Sequence, residues 1–116
     1  MTKMNLTVGG DLEAETSSRF IDAWRRAEAG EDFRERHLAF ESWDALSKVL
    51  TGKRMALLHY VRRHEVASVR ALAKALGRDY SNVHADVQAL SGAGLIEAGN
   101  GRVHADYAAI ETLIAI

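Results

Sequence analysis

Residues 68–90 decide the predicted fold, and they read SVRALAKALGRDYSNVHADVQAL. Apolar residues in the first part occupy the i, i+3, i+4 and i+7 positions of one helix face, namely Val69, Leu72, Ala73 and Leu76. Gly77 stands where glycine commonly ends a helix, and Asp79 is a typical N-cap for the next one. The pattern therefore predicts two helices joined by a short glycine turn, the second of which runs from Tyr80 to about Ala93.

The second of these helices has one apolar side and one polar side. Val83, Val87 and Leu90 fall in one direction at helical spacing and are expected to face the core. The opposite side carries small residues and uncharged hydrogen-bonding residues, namely Ser81, Asn82, His84, Ala85 and Gln88. Asn and Gln can pair with adenine through two hydrogen bonds, and Ser or His can meet base edges or phosphates. This side is typical of a DNA-reading helix, and the alternative is an ordinary solvated face.

The neighbouring elements complete a winged helix-turn-helix over residues 51–106. Thr51 is placed to cap a helix from Lys53 to about His64, and Asn100-Gly101 predicts a hairpin between two short strands. Further candidates for contacts to phosphates or to the minor groove flank the reading helix or lie in the hairpin, namely Lys74, Arg78, Tyr80, Arg102 and His104. The expected fold class is mainly α with a small β component.

Residues 1–50 predict a strand-helix-strand-helix extension that serves dimerisation or a partner. Apolar and polar residues alternate over residues 4–8, residues 14–29 have helical periodicity, residues 37–40 are a possible second strand, and Ser42 can cap a short helix. The candidates for the dimer or partner surface are large apolar side chains, namely Phe20, Ile21, Trp24 and Trp43. The alternative is that these side chains cover the core within one chain.

The last ten residues, 107–116, predict a C-terminal helical tail. Its apolar residues fall on one face of a helix, namely Tyr107, Ile110, Leu113 and Ile114. We expect this face to pack on the core, and the alternative is that it docks on a second subunit or a partner.

Charge is distributed unevenly along the 116 residues, although the net charge is only −1. Residues 52–104 carry eight Lys and Arg against four Asp and Glu, whereas residues 1–51 carry seven against ten. A basic middle between acidic ends predicts that the middle meets an anion. The composition lacks cysteine, which excludes disulfides and thiolate metal sites. The sequence also lacks a long apolar run and a leader-like N-terminus, so we expect a cytoplasmic protein with no membrane partner.

Catalytic, metal and cofactor sites have little support in the sequence. The pairs His84/Asp86 and His104/Asp106 are spaced i, i+2, and neither has a third ligand at metal-binding spacing. No glycine-rich loop leads from a strand into a helix in the phosphate-binding pattern. We therefore expect no enzyme activity, no metal and no cofactor.

Residues 76–84, which read LGRDYSNVH, followed by Asp86 and Val87, resemble small MarR-like winged-helix transcriptional regulators of bacteria and archaea. Residues 40–46 (FESWDAL) and 19–27 (RFIDAWRRA) are similar to the antitoxin members of that group. These antitoxins pair with a small ribonuclease-like toxin in two-gene modules. The resemblance covers most of residues 4–106, and it departs from the group in the tail, where no proline precedes Tyr107.

The resemblance implies a homodimer that binds double-stranded DNA, represses its own operon and neutralises a small toxin. With the residues themselves, it predicts a sequence-specific DNA-binding transcriptional regulator. One alternative is a protein-interaction module that uses the winged helix only as a scaffold. Others are a free-standing regulator without a toxin, or a small enzyme or metal protein.

Overall fold

A computed structural model of the chain describes residues 2–9, 34–100 and 102–116. The described elements in chain order are β1 (Thr2–Val8), β2 (Arg34–Phe40), α1 (Trp43–Val49), α2 (Gly52–Arg63), α3 (Val69–Leu76), α4 (Tyr80–Gly92), β3 (Glu97–Gly99), β4 (Arg102–His104) and β5 (Ala109–Ile114). The chain divides into two compact units. We call Met1–Leu46 with Tyr107–Ile116 the sheet unit, and Ser47–Asp106 the helical unit.

Local capping interactions set the ends of the helices in the helical unit. The Thr51 hydroxyl accepts a hydrogen bond from the Arg54 amide at 3.3 Å, and the Ser68 hydroxyl accepts one from the Ala71 amide at 3.0 Å. Gly77 ends α3 with a φ of 64°, a left-handed conformation that favours glycine. The caps and the glycine turn predicted for this region are confirmed by these contacts.

The core of the helical unit collects apolar side chains from α2, α3, α4 and β4 and from the segment before β3. Its fully buried members include Leu57, Leu72, Val83, Val87, Leu90, Leu95 and Val103. β3 and β4 form the predicted antiparallel hairpin, and the Val103 amide donates to the Val66 carbonyl at 3.2 Å. This bond ties the hairpin to the segment before α3, so the hairpin is fixed to the unit beyond its own two strands.

The sheet unit contains a three-stranded parallel sheet in the order β2-β1-β5. The register places Leu6 of β1 opposite Leu38 of β2 and Thr112 of β5. Every residue from Met4 to Val8 is buried, including the polar residues Asn5 and Thr7. β1 is therefore a central strand that is buried on both faces, whereas the alternating pattern of residues 4–8 predicted a half-buried one.

The predicted fold class, mainly α with a small β component, is wrong: the protein is mixed α/β. The largest difference is the tail, which was predicted as a helix and forms strand β5 against β1. The reason is tertiary, because a buried central strand needs backbone partners on both edges. The helix predicted for residues 14–29 lies outside the described residues. Over the part of the chain that the structure describes, no helix is long and apolar enough to cross a membrane.

Candidate nucleic-acid interface

Helix α4 presents a continuous polar surface on one side of the helical unit. Val83, Val87 and Leu90 are buried. The residues predicted for the outward side are all exposed, namely Ser81, Asn82, His84, Ala85 and Gln88. The helix phase deduced from the sequence therefore agrees with the structure. Because Ala85 lies between Asn82 and Gln88 at helical spacing, the middle of this surface is low and leaves room for a close approach.

The start of α4 is capped by a charged carboxylate. Asp79 accepts hydrogen bonds from the Ser81 amide at 3.2 Å and from the Asn82 amide at 3.4 Å, and it also accepts the Ser81 hydroxyl proton. The Ser81 hydroxyl and the Asn82 amide lower the pKa of Asp79 below its ordinary value, because both stabilise the ionised form. Because the Ser81 hydroxyl donates its hydrogen bond to Asp79, it offers a ligand only the lone pairs of its oxygen.

Arg78 precedes α4, and its side chain points into the helical unit toward Asp86. Its Nη2 donates to Oδ2 of Asp86 at 2.7 Å, and Nε of Arg54 donates to the other oxygen, Oδ1, at 3.0 Å. The Asp86 side chain is only 13% exposed. Burial opposes ionisation of this carboxylate, but the hydrogen bonds from Arg78 and Arg54 outweigh burial and lower the pKa of Asp86. The three side chains form an ion cluster, which we call the Asp86 cluster.

The Asp86 cluster also reaches the end of helix α1. Nη1 of Arg54 donates to the carbonyl oxygens of Lys48 and Val49, both at 2.9 Å. These carbonyls belong to the last turn of α1, where the helix itself supplies no partner. One arginine on α2 thus holds the end of α1 and a carboxylate of α4, and it helps to fix the orientation of the exposed polar surface.

The phosphate contact predicted for Arg78 does not fit this geometry. Its Nη2 is bonded to Asp86, and its Nη1 is buried with no hydrogen-bond partner. Sequence reasoning missed Asp86 and Arg54 as partners of this arginine. A signal was present, because Asp86 falls beside Val83 and Val87 on the inward side of α4, and an inward carboxylate needs a cationic partner.

A second arginine, Arg70 of α3, lies against the exposed beginning of α4. Its guanidinium carbon is 4.8 Å from the centroid of the Tyr80 ring. The ring of His84, one turn further along α4, is 5.8 Å from the same Tyr80 ring and tilted by 36°. All three side chains are exposed. Sequence analysis selected Tyr80 and His84 but not Arg70, because only the packing of α3 against α4 brings the arginine to this surface.

The remaining basic candidates have different surroundings. Lys74 on α3 and Arg102 on β4 are exposed, and neither makes an ion pair with any residue of the described ranges. His104 lies opposite Glu97 in the hairpin, and its Nε2 is 2.8 Å from the Glu97 carboxylate. The structure therefore leaves Lys74 and Arg102 accessible to an anion, whereas a carboxylate competes for His104.

The candidates for a dimer or partner surface are only partly covered by the structure. Trp43, at the start of α1, is 59% exposed. Phe20, Ile21 and Trp24 lie outside the described residues. In the sheet unit, Leu113 and Ile114 of strand β5 are also exposed.

The described ranges contain no group of three His, Asp or Glu side chains arranged to hold a metal ion. A family model described as HVO_A0114 matches residues 49–112, which is more than half of the chain. No curated protein and no solved structure matches the chain at a significant level. The matched range includes α2, α3, α4 and the hairpin, and therefore every described residue of the polar surface.

Proposed function

The chain belongs to the HVO_A0114 family, whose model spans the elements that carry the polar surface, and we propose that it is a sequence-specific DNA-binding transcriptional regulator. The observation that carries the proposal is the exposed side of α4. It combines Asn82 and Gln88 with the small Ala85 between them and contains no large aliphatic side chain. Such a side fits a major groove, where amides read base edges and a low centre allows close approach.

The dimensions of α3 and α4 suit this function. α4 has 13 residues, which correspond to a length of roughly 20 Å at the helical rise per residue. It follows the eight-residue α3 after the turn at Gly77, Arg78 and Asp79. A helix-turn-helix of this kind places its second helix in the major groove, while residues of the first helix contact the backbone.

The charge of the helical unit also supports binding to a polyanion. Residues 47–106 carry nine Lys and Arg against five Asp and Glu. Two of the arginines, Arg54 and Arg78, are bonded to Asp86. A moderate excess of exposed cations remains, which favours a salt-dependent interaction with modest non-specific affinity.

A homodimer is part of the proposal. A single unit of this size covers on the order of 600–1,000 Å² of protein surface on DNA, which is small for specific binding at cellular salt. Two copies related by a two-fold axis would read two half-sites spaced by one turn of the duplex or a multiple of it. We therefore expect a pseudo-palindromic operator, with the DNA upstream of the protein's own coding sequence as its first candidate.

The test is fluorescence anisotropy with a duplex from that upstream region and a scrambled duplex of the same composition. Asn82→Ala and Gln88→Ala should each reduce discrimination between the two duplexes by roughly 5-fold to 150-fold, the effect of losing one good base contact. Thr112→Ala, an exposed polar residue of the sheet unit, is the matched control and should leave discrimination unchanged. Equal affinity of the wild type for both duplexes would contradict sequence-specific binding.

A second candidate function is the binding of a protein partner, such as the small toxin that the family resemblance implies. The observation that favours it is Trp43, since a tryptophan 59% exposed in a single chain is typical of an interface anchor. Calorimetry with the purified product of the adjacent gene tests it. Trp43→Ala should abolish that interaction, whereas Asn82→Ala should preserve it. Because the burial of apolar surface changes the heat capacity, the absence of heat with the wild type at each of two temperatures would refute this candidate and leave DNA binding unaffected.

A further inference from the structure

We infer that Arg70, held on the ring of Tyr80, is a phosphate-binding residue of the DNA-reading surface. The inference rests on the proposed function and adds a residue that the sequence did not indicate. It also replaces Arg78, which the structure places in the Asp86 cluster, as the arginine that meets the DNA backbone beside α4.

The guanidinium of Arg70 lies where α3 meets the beginning of α4. Arg70 belongs to α3, and Tyr80 is the first residue of α4, so their contact at 4.8 Å joins the two helices on the exposed side. His84 follows one turn later, at 5.8 Å from the same ring. The three side chains form a row that starts with a fixed cation and leads onto the polar surface of α4.

An arginine held on an aromatic ring keeps its hydrogen-bond donors available. A stacked or tilted guanidinium uses its face for the cation–π contact, while its N–H donors point outward in the plane of the group. Arg70 makes no hydrogen bond and no ion pair with any residue in the described part of the chain. Its donors are therefore available to the oxygens of a phosphate. Because the ring already limits its rotamers, binding costs less conformational entropy than it would for a free arginine.

The start of α4, where a phosphate could otherwise bind the helix N-terminus, is already occupied by a carboxylate. Asp79 already accepts the amides of Ser81 and Asn82, and its carboxylate remains ionised. A phosphate at that position would meet a negative charge and amides that are already bonded. A backbone phosphate near this end of the helix therefore needs a cation from outside α4, and Arg70 of α3 provides it.

The competing explanation is that the Arg70–Tyr80 contact only stabilises the packing of α3 on α4. The two explanations differ in how affinity depends on salt, because only a phosphate contact releases counterions from the DNA. We would measure anisotropy with the upstream duplex between 50 and 300 mM KCl, together with the melting temperature of each variant. The set is Arg70→Ala, Arg70→Lys, Tyr80→Ala and Tyr80→Phe. Arg62→Ala is the control, and it removes another exposed arginine, which belongs to α2.

For Arg70→Ala we expect the slope of log affinity against log salt to become shallower by about 0.9 per protomer, or about 2 for a dimer. Arg70→Lys keeps the charge, so its slope should match the wild type while its affinity falls a few-fold. Tyr80→Phe keeps the ring that positions Arg70, so its slope of log affinity against log salt should match the wild type whatever the loss of the hydroxyl does to its affinity. Tyr80→Ala should weaken binding, and combining it with Arg70→Ala should cause no further loss.

Several results would overturn the inference. One is a slope of log affinity against log salt that is the same for Arg70→Ala and Arg62→Ala. Another is a lower melting temperature for Arg70→Ala with the wild-type slope, which would assign the contact to helix packing. If the wild type binds neither duplex, the proposed function fails first, and the phosphate role of Arg70 fails with it. Failure of the inference alone leaves sequence-specific binding by the wild type intact, so the two failures are distinguishable.

Discussion

The helical unit and the sheet unit bury polar side chains in different ways. In the helical unit, the ionised Asp86 lies between Arg54 and Arg78 with its side chain 13% exposed. In the sheet unit, the buried polar residues of β1 are neutral, namely Asn5 and Thr7. Each of these makes a hydrogen bond to β2. Nδ2 of Asn5 donates to the Arg36 carbonyl at 3.2 Å, and the Thr7 hydroxyl lies 3.1 Å from Nε2 of His37.

Because of this difference, we expect the loss of one hydrogen-bonding partner to destabilise the helical unit more than the sheet unit. A charged cluster depends on all of its members, because removing the carboxylate leaves two partly buried cations without compensation. Replacing a neutral hydroxyl by an apolar group of the same shape leaves one neutral partner without its hydrogen bond, and the cost is small where water reaches that partner, as it does at the half-buried His37. The Asp86 cluster also holds the ends of separate helices, whereas Asn5 and Thr7 join strands that the backbone already pairs.

The largest expected effect comes from Asp86→Ala. It leaves Arg54 and Arg78 facing each other without the carboxylate, and we expect it to lower the free energy of unfolding by about 2–4 kcal/mol. This is below the cost for a fully buried pair because solvent reaches 19% of the Arg54 side chain and 21% of the Arg78 side chain. Denaturant unfolding followed by circular dichroism measures the total change.

Amide hydrogen exchange then locates the effect of Asp86→Ala. Protection should fall in α4 and at the end of α1 more than in β1, because only the former elements contact the cluster. Glu65→Ala, which removes an exposed carboxylate of the same unit, is the control and should change protection little. Equal loss of protection in α4 and β1 would mean that the two units unfold as one, which would invalidate the comparison.

The next effect is smaller, because it removes only the charge of Asp86. Its pKa is lower in the folded chain than in the unfolded one, so the stability it contributes is complete above the unfolded value of about 3.9 and is lost as the pH falls through the folded value. The stability gap between the wild type and Asp86→Asn should be constant from pH 7 to pH 5 and should close only below about pH 4. Asp79, whose pKa is also lowered, is present in both proteins, so its contribution cancels in the difference between their free energies of unfolding. A gap that closes between pH 7 and pH 5 would show that the carboxylate is not held in its ionised form.

The same contrast explains which parts of the fold could be predicted from the sequence. In the helical unit, the start of α2 and both ends of α3 are set by neighbouring residues, namely Thr51, Ser68 and Gly77. Local patterns therefore suffice there. In the sheet unit, the strands pair between distant parts of the sequence, as Leu6 pairs with Thr112. No local pattern contains that pairing.

The tail, residues 107–116, shows why the sequence alone could not predict strand β5. Tyr107, Ile110 and Leu113 have helical spacing, but Ile110, Thr112 and Ile114 are also β-branched residues with a period of two. Both patterns are present, so the sequence alone does not decide between them. The deciding factor is strand β1, which pairs with β5 from Ala109 to Ile114.

The candidate site also has a part that the sequence could predict and a part that it could not. The outward residues of α4 follow from helix periodicity within one element, so their exposure could be predicted. The partners of Arg78 and Arg70 could not, because both contacts join different elements and depend on side-chain direction. Periodicity identified the surface but could not determine which arginine is exposed beside it.

A smaller effect is expected from Thr7→Val in the sheet unit. The substitution keeps the shape of a fully buried side chain, and the partner that loses its hydrogen bond, His37, is half-buried and can bond to water instead, so the free energy of unfolding should change by less than about 1 kcal/mol. Asp86→Val in the helical unit is the matched comparison, and it should cost several times as much. Denaturant unfolding of the two variants measures both values. Similar losses in both variants would show that charged and neutral polar groups contribute alike, contrary to the contrast between the units.

The smallest effect tests whether charge matters in the helical unit where it is exposed. His104 and Glu97 are 2.8 Å apart across the hairpin, and each side chain is 53% exposed. Solvent screens such a pair, so His104→Ala should change the free energy of unfolding at pH 7 by less than about 0.5 kcal/mol. Glu97→Ala should give a similar value, and the double variant should equal the sum of the two. A coupling energy between His104 and Glu97 as large as the effect of Asp86→Ala would mean that burial is not what makes the Asp86 cluster important for stability.

If the surface binds DNA as proposed, Glu97→Ala should strengthen binding, because it removes the carboxylate that competes with phosphate for His104.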